Sequence, residues 1–223
     1  MAKRNEATRG RLSRDVIIVS AVALADSEGL EAVTIRRLAQ EHGVTPMAMY
    51  WHFSDKESLF DGLAEHLIEA VRLPEPSDAP WDEQLHEILL SFLKATRPHP
   101  RIAGLALRRI LSAEPGLRIA ERVLGLLGEA GFPADRAAEI GTFLICSILT
   151  LANGDPAPGP PLAGEEREQG LRDKRARLES LPPARYPHVI AAAPALVACR
   201  DDDDYFALNL DLLVQGVRGL RRA

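Results

Sequence analysis

Apolar residues recur along this chain at intervals of three and four, and nowhere alternate over a stretch long enough to make a strand. Val16, Val19, Ala23 and Leu24 form one such stripe, preceded by Ser13 as an N-cap with Asp15 in the first turn and closed by Ser27-Glu28-Gly29. Thr34 then caps a short helix over 35–41 that turns Ile35, Leu38 and Ala39 inward, and Gly43 breaks it. Thr45-Pro46 starts a third, very short helix, because a hydroxyl can cap and a proline at the first position has no N–H to lose. Ser54 followed by Glu57 reads as a capping box opening a fourth helix through Leu59, Phe60, Leu63, Leu67 and Val71. The Pro-rich "LPEPSDAP" at 73–80 marks a boundary between a small N-terminal unit and a larger body. Helical patterns follow over about 81–97, 101–112, 115–130 and 134–153, then a Pro/Gly-rich loop at 154–164, a polar helix near 165–179 and a last helix over about 202–221. The pattern predicts an all-α protein of about nine to ten helices with no internal repeat.

Length and charge sharpen this. A chain of 223 residues is long enough for one large domain or two small ones. Its longest apolar runs, such as 143–152, are too short to span a bilayer, and the N-terminus is charged without an apolar run behind it, so a cytoplasmic location is expected. Cys146 and Cys199 sit apart in apolar settings and read as small core hydrophobes. The net charge of −5 argues against a nucleic-acid partner, but its distribution does not: residues 1–14 hold five bases (Lys3, Arg4, Arg9, Arg11, Arg14) and one acid (Glu6). Such an arm is either a locally electropositive surface or a solvated tail.

The segment "GVTPMAMYWHFSDKESL" at 43–59 carries the chemistry. A short helix, a Gly-containing turn and a second short helix make the helix-turn-helix arrangement, whose second helix presents side chains to the DNA major groove. Lys56, in the first turn of a helix, opposes the macrodipole, and a bound phosphate would turn that conflict into a site. Trp51 and Phe53, at helical spacing, are expected in the core against the first helix. The acids 201–204 are helix caps rather than a metal site. There is no HExxH, nucleophile elbow, Walker loop or pair of carboxylates in an apolar setting, so an enzyme reading has little support; a helical adaptor with a protein-binding head is the other alternative.

At this point "TIRRLAQEHGVTPMAMYWHFSDKESLFDGLAEHL" (34–67) resembles the DNA-binding head of TetR-family transcriptional repressors, with "YWHFSDK" similar to the tetracycline-repressor branch, and "YFALNLDLLVQGVRGL" (205–220) resembles the last helix of that branch. The resemblance implies a basic arm at 1–14, a helix-turn-helix domain at 12–72 and an effector-binding and dimerisation domain at 81–223. It places Arg36 on a guanine and Arg37 on phosphate, makes Thr45 both cap and phosphate donor, and sets Pro46, Met47 and Ala48 where thymine methyl groups are met. Tyr50 becomes a phosphate contact, His52 either a backbone contact or a semi-buried cap, and Lys56 a phosphate ligand. The implied partners are operator DNA, a small-molecule effector and a second copy of the chain, with no cofactor. Phe92, Thr96, Arg109, Thr142, Phe143, Cys146, Thr150 and Asn153 are the candidate effector contacts, as polar or aromatic groups in apolar helices. Helix 134–153 is apolar on nearly every face past Ile140, which either burial within one chain or pairing with the last helix would satisfy; the resemblance implies the pairing, with Ile145, Ile148 and Leu149 against Phe206, Leu210, Leu213, Val214 and Val217 and their symmetry mates. Thr150 stands where that branch has a metal-chelate glutamate, and no histidine follows His99 in the segment where one is needed. A metal-independent, largely apolar effector is therefore expected, with Arg109 meeting an anionic or carbonyl end.

Overall fold

The computed structural model describes residues 12–153, 165–197 and 202–221. The bases at 3, 4, 9 and 11, the loop at 154–164, Cys199 and Asp201 lie outside the described residues. All regular structure in those segments is helical: α1 Arg14–Glu28, α2 Ile35–Glu41, α3 Pro46–Tyr50, α4 Lys56–Glu69, α5 Trp81–Thr96, α6 Pro100–Arg109, α7 Glu114–Glu129, α8 Ala134–Asn153, α9 Glu165–Glu179, α10 Pro187–Val197 and α11 Asp202–Leu220. The all-α expectation holds. The helix it overlooked is α10, whose small residues and interior Pro194 give no clear amphipathic stripe.

The head is built by its caps. Ser13 Oγ accepts from the Val16 N–H at 3.2 Å, and Thr34 Oγ1 from the Arg37 N–H at 3.1 Å. After α2 the Gly43 N–H bonds the Gln40 carbonyl and the Val44 N–H the Ala39 carbonyl, a turn that needs a left-handed residue, and Gly43 has φ +63°. The fourth helix starts one residue later than Ser54 and Glu57 suggest. Asp55 is the cap, its carboxylate accepting from the Ser58 N–H at 2.7 Å, while Ser58 Oγ accepts from the Asp55 N–H at 3.2 Å. A carboxylate is the stronger acceptor of the two candidate caps, and this register makes Lys56 the first helical residue.

The head's core joins Ile17, Ile18 and Ala21 of α1, Leu38 of α2, Met49 and Phe53, and Leu59, Leu63 and Leu67 of α4. Each large side chain buried there contributes about 1.5–3 kcal/mol. Trp51 corrects the expectation that it shares this core: it is 86% exposed. Met49 and Phe53, four apart, already fill the inward side of α3 and its exit, so the residue between them must face away. Nor does the break at 73–80 separate two cores, since Ile102 and Leu105 of α6 belong to the head's cluster.

The described chain forms two compact units, one of residues up to 153 plus 213 onward, the other within 154–212. In the first, α4 and α1 pack on α6, and α5, α6 and α7 pack on α8. Its polar pins are an Asp82–Arg218 ion pair at 3.1 Å and a bond from Arg122 to Gln84, whose amide in turn donates to the Ala79 carbonyl at 2.6 Å. The elbow between α6 and α7 is close-packed at Gly116, where a Cβ would lie 1.8 Å from the Ile110 carbonyl oxygen. In the second unit α9 and α10 pack together; α9 carries ion pairs along its length, such as Arg175–Glu179 at 2.7 Å.

Candidate functional site

The turn from Gly43 to Thr45 delivers α3 as an exposed edge. Thr45 Oγ1 accepts from the Ala48 N–H at 3.4 Å, which leaves its own proton free to donate. Pro46, Met47 (68% exposed) and Tyr50 (50% exposed) line this edge in water, Ala48 and His52 are half-buried, and Trp51 stands beside Tyr50. Lys56 is exposed at the start of α4, its ammonium 5.0 Å from the centre of the Phe60 ring.

The two arginines of α2 have different fates. Arg37, expected to meet phosphate, is gripped by Glu28 at 2.8 Å and Glu41 at 3.0 Å, and these carboxylates raise its already high pKa. Glu41 lies one turn on from Arg37, and Glu28 ends α1 beside it, so both carboxylates occupy the guanidinium. Arg36 is exposed and makes no ion pair with a described residue.

A cavity of about 280 Å³ opens in the first unit, among α6, α7 and α8. Leu107, Arg108 and Leu111 form one wall, Ile119, Val123 and Leu124 a second, and Gly141, Thr142 and Ile145 a third. Of the eight candidate effector contacts only Thr142 lines it. Phe92 and Thr96 are sealed in the core, the Thr96 hydroxyl donating to its own helix at Phe92 O, 2.9 Å away. Phe143 is 60% exposed, Thr150 is exposed, Cys146 is half-buried, and the Asn153 side chain lies outside the described residues. A polar or aromatic residue in an apolar helix is a poor marker here, because the cavity is walled by aliphatic groups. Only a three-dimensional arrangement brings Leu107, Ile119 and Gly141 together.

Arg109 points elsewhere. Its guanidinium pairs with Glu57, at 3.2 Å, and with Asp61, both on α4. Two further polar links join the head to this region: Asp26 Oδ2 lies 2.7 Å from His99 Nδ1, and Arg101 Nη1 donates to the Ser27 carbonyl at 3.1 Å. Sequence neighbours Arg108 and Arg109 thus serve different sites.

The residues expected to pair have these places in the single chain. Ile148, Leu149, Phe206, Leu210, Val214 and Val217 are buried within the single chain, Ile145 lines the cavity, and Leu213 is half-buried. The residues at 206, 210, 214 and 217 follow a three-to-four spacing and take the inward stripe of α11, which leaves Leu208 and Leu212 on the opposite side in water.

A capped helix-turn-helix whose second helix holds its methyls and rings in solvent, joined to a helical body with an apolar cavity, defines a DNA-binding protein with a small-molecule sensing body. The chain belongs to the TetR family of bacterial transcriptional regulators: residues 17–63 match "Bacterial regulatory proteins, tetR family" and residues 73–221 match "Tetracyclin repressor-like, C-terminal domain". It is 30% identical over 218 residues to the class C tetracycline repressor of Escherichia coli, covering 95% of this chain and 93% of that protein. It is 28% identical over 217 residues to the transcriptional repressor DrrR1 of Streptomyces coeruleorubidus, covering 94% and 78%. Among solved structures it is similar to ActR of Streptomyces coelicolor in complex with actinorhodin, with a TM-score of 0.77, 28% identity and coverage of 94% of this chain and 98% of that one. It is accordingly a DNA-binding transcriptional repressor of that family, and not an enzyme. No helix among the described residues is long and apolar enough to cross a membrane.

Proposed function

We propose that the chain reads a palindromic operator through Arg36 and the Thr45–Pro46–Met47–Tyr50 edge, with Ala48 beneath that edge and His52 and Lys56 at its flank, and that an effector in the α6–α7–α8 cavity releases it. Trp51 joins this face. The functional division then runs between a reading part at 12–72 and a sensing and dimerisation part at 81–223, and the protein works in the cytoplasm. The observation that carries the reading is that Met47, Tyr50 and Trp51 stay in water on a head whose core is complete without them. A convex edge of rings and methyls fits the major groove, where thymine methyls and phosphates are its matching groups. A twofold dimer would set two such edges about one helical turn apart, ~34–36 Å, and a second copy would cover Leu208 and Leu212 on α11.

The cavity's donor set supports an apolar, metal-independent effector. Its lining offers one hydroxyl and one guanidinium, and neither supplies the anionic oxygens or imidazole that a hard cation needs. Bound there, a ligand shifts the spacing of the heads only by its differential affinity for the two body geometries. The test is fluorescence anisotropy with labelled DNA from the chain's own upstream region, with a salt series and tetracycline added with and without magnesium. Binding that weakens steeply with salt, and no magnesium-dependent release by micromolar tetracycline, are expected. Salt-independent binding, or release that requires magnesium, would contradict the reading.

A further inference from the structure

The cavity lining carries a single charged side chain, and that side chain is a cation. Leu107, Leu111, Ile119 and Val123 give its walls, and no acidic side chain lines it. Its one hydroxyl, on Thr142, already donates to the Ala138 carbonyl at 2.8 Å. Arg108 lines the cavity while remaining exposed, and it makes no ion pair with a described residue. Its neighbour Arg109 is held by two carboxylates of α4. Of two adjacent cations, one is neutralised inside the protein and the other is left for something else.

Resting on the assignment of this cavity as the effector site, we propose that Arg108 makes it selective for an anion: a compact apolar body carrying one carboxylate, sulfonate or phenolate. The interior cannot hold a charge, because an unpaired ion inside an apolar wall loses its hydration without return. At the mouth the balance reverses. Arg108 keeps water in the free protein, so leaving it unpaired costs little, and an arriving oxyanion gains charge-assisted, two-pronged hydrogen bonds from the guanidinium. A neutral ligand of the same body strips water from Arg108 and gives nothing back, and a cationic one is repelled. The anion therefore also fixes orientation, charged end at Arg108 and rings toward Ile119, Val123 and Gly141.

Two dyes with one scaffold test this on the full-length protein: 1-anilinonaphthalene-8-sulfonate, and N-phenyl-1-naphthylamine, which lacks the sulfonate. Fluorescence titration should show the sulfonated dye binding wild type about tenfold more tightly, the scale of a charge-assisted hydrogen bond. Arg108→Gln should bring the two affinities together by weakening the sulfonated dye alone, and Arg108→Lys should restore part of the gap. Ala138→Trp, which lays a ring across the lining from an exposed position on α8, should weaken both dyes. If Arg108→Gln keeps the tenfold preference while Ala138→Trp weakens both, the role of Arg108 is overturned and the cavity stands. If Ala138→Trp binds both dyes like wild type, or wild type binds neither, the cavity assignment itself fails.

Discussion

The reading edge of the head and the cavity of the body both leave apolar side chains uncovered in the single chain, but in opposite shapes. On the head the uncovered groups project from one five-residue helix and its exit, and Met49 and Phe53 are anchored beneath. In the body they face inward from three helices, and the Ile110 and Val123 side chains that line the cavity are also buried parts of the fold. A surface of the first kind can change its exposed residues without disturbing its support. One of the second kind shares residues between sensing and stability.

The sharpest way to break that comparison is at the two rings of the head. Phe53→Ala should cost about 3–5 kcal/mol, as for a buried aromatic, and abolish cooperative melting of the head. Trp51→Ala should leave stability within ~0.5 kcal/mol of wild type, as at an exposed site, while weakening operator binding. Thermal melts beside anisotropy titrations would show it, and a large loss of stability in Trp51→Ala would mean that the ring is covered in solution.

Next in size are the polar members of the edge. Arg36→Ala should relax preference at one base pair per half-site, at a cost of ~1–3 kcal/mol. Lys56→Ala should weaken all sequences alike and lower the salt slope by about one. Arg37→Ala should do neither, since Glu28 and Glu41 already hold that guanidinium. A base-specific loss in Arg37→Ala would reverse the assignment of the two arginines.

A smaller effect is expected where head and body meet. Arg109→Ala removes partly exposed ion pairs, so its cost to stability should be about 0–1 kcal/mol. Hydrogen exchange at residues 56–61 should nevertheless quicken while 35–41 stays as before; wild-type rates at 56–61 would show that the pairing does not hold α4.

The smallest effect concerns acid. The Ser58 N–H lowers the pKa of Asp55, so the cap's contribution is present above the ordinary aspartate value and is lost as pH falls through the lower folded one. The gap in melting temperature between wild type and Asp55→Ala should be constant from neutral pH down to about 5 and close below about 3.9. A gap that closes near neutrality would exclude this cause.

What could be read in the sequence follows the same division. The caps at Ser13, Thr34 and Thr45, the turn at Gly43 and the exposed edge from Pro46 to Tyr50 depend on residues within a few positions of one another, and local rules reach that far. Helical spacing alone cannot say whether both rings, Trp51 and Phe53, take the inward side; Met49 decides it, by facing inward one turn before Phe53 and leaving Trp51 out. The cavity is almost invisible in the sequence, since its lining is scattered from Leu107 to Ile145 over three successive helices and looks like ordinary core. Arg109 was singled out as a polar group in an apolar helix, yet its partners lie on α4, about fifty positions away.

Gly116 limits how this sensor can diversify. With no room for a Cβ against the Ile110 carbonyl, every substitution there displaces a residue of the cavity wall. The α6–α7 elbow is thus a fixed corner, while Ala120, Ala138 and Gly141 across the cavity are small positions where added atoms reshape the space. A library meant to retune this protein to new inducers belongs on α7 and α8, with the elbow left untouched.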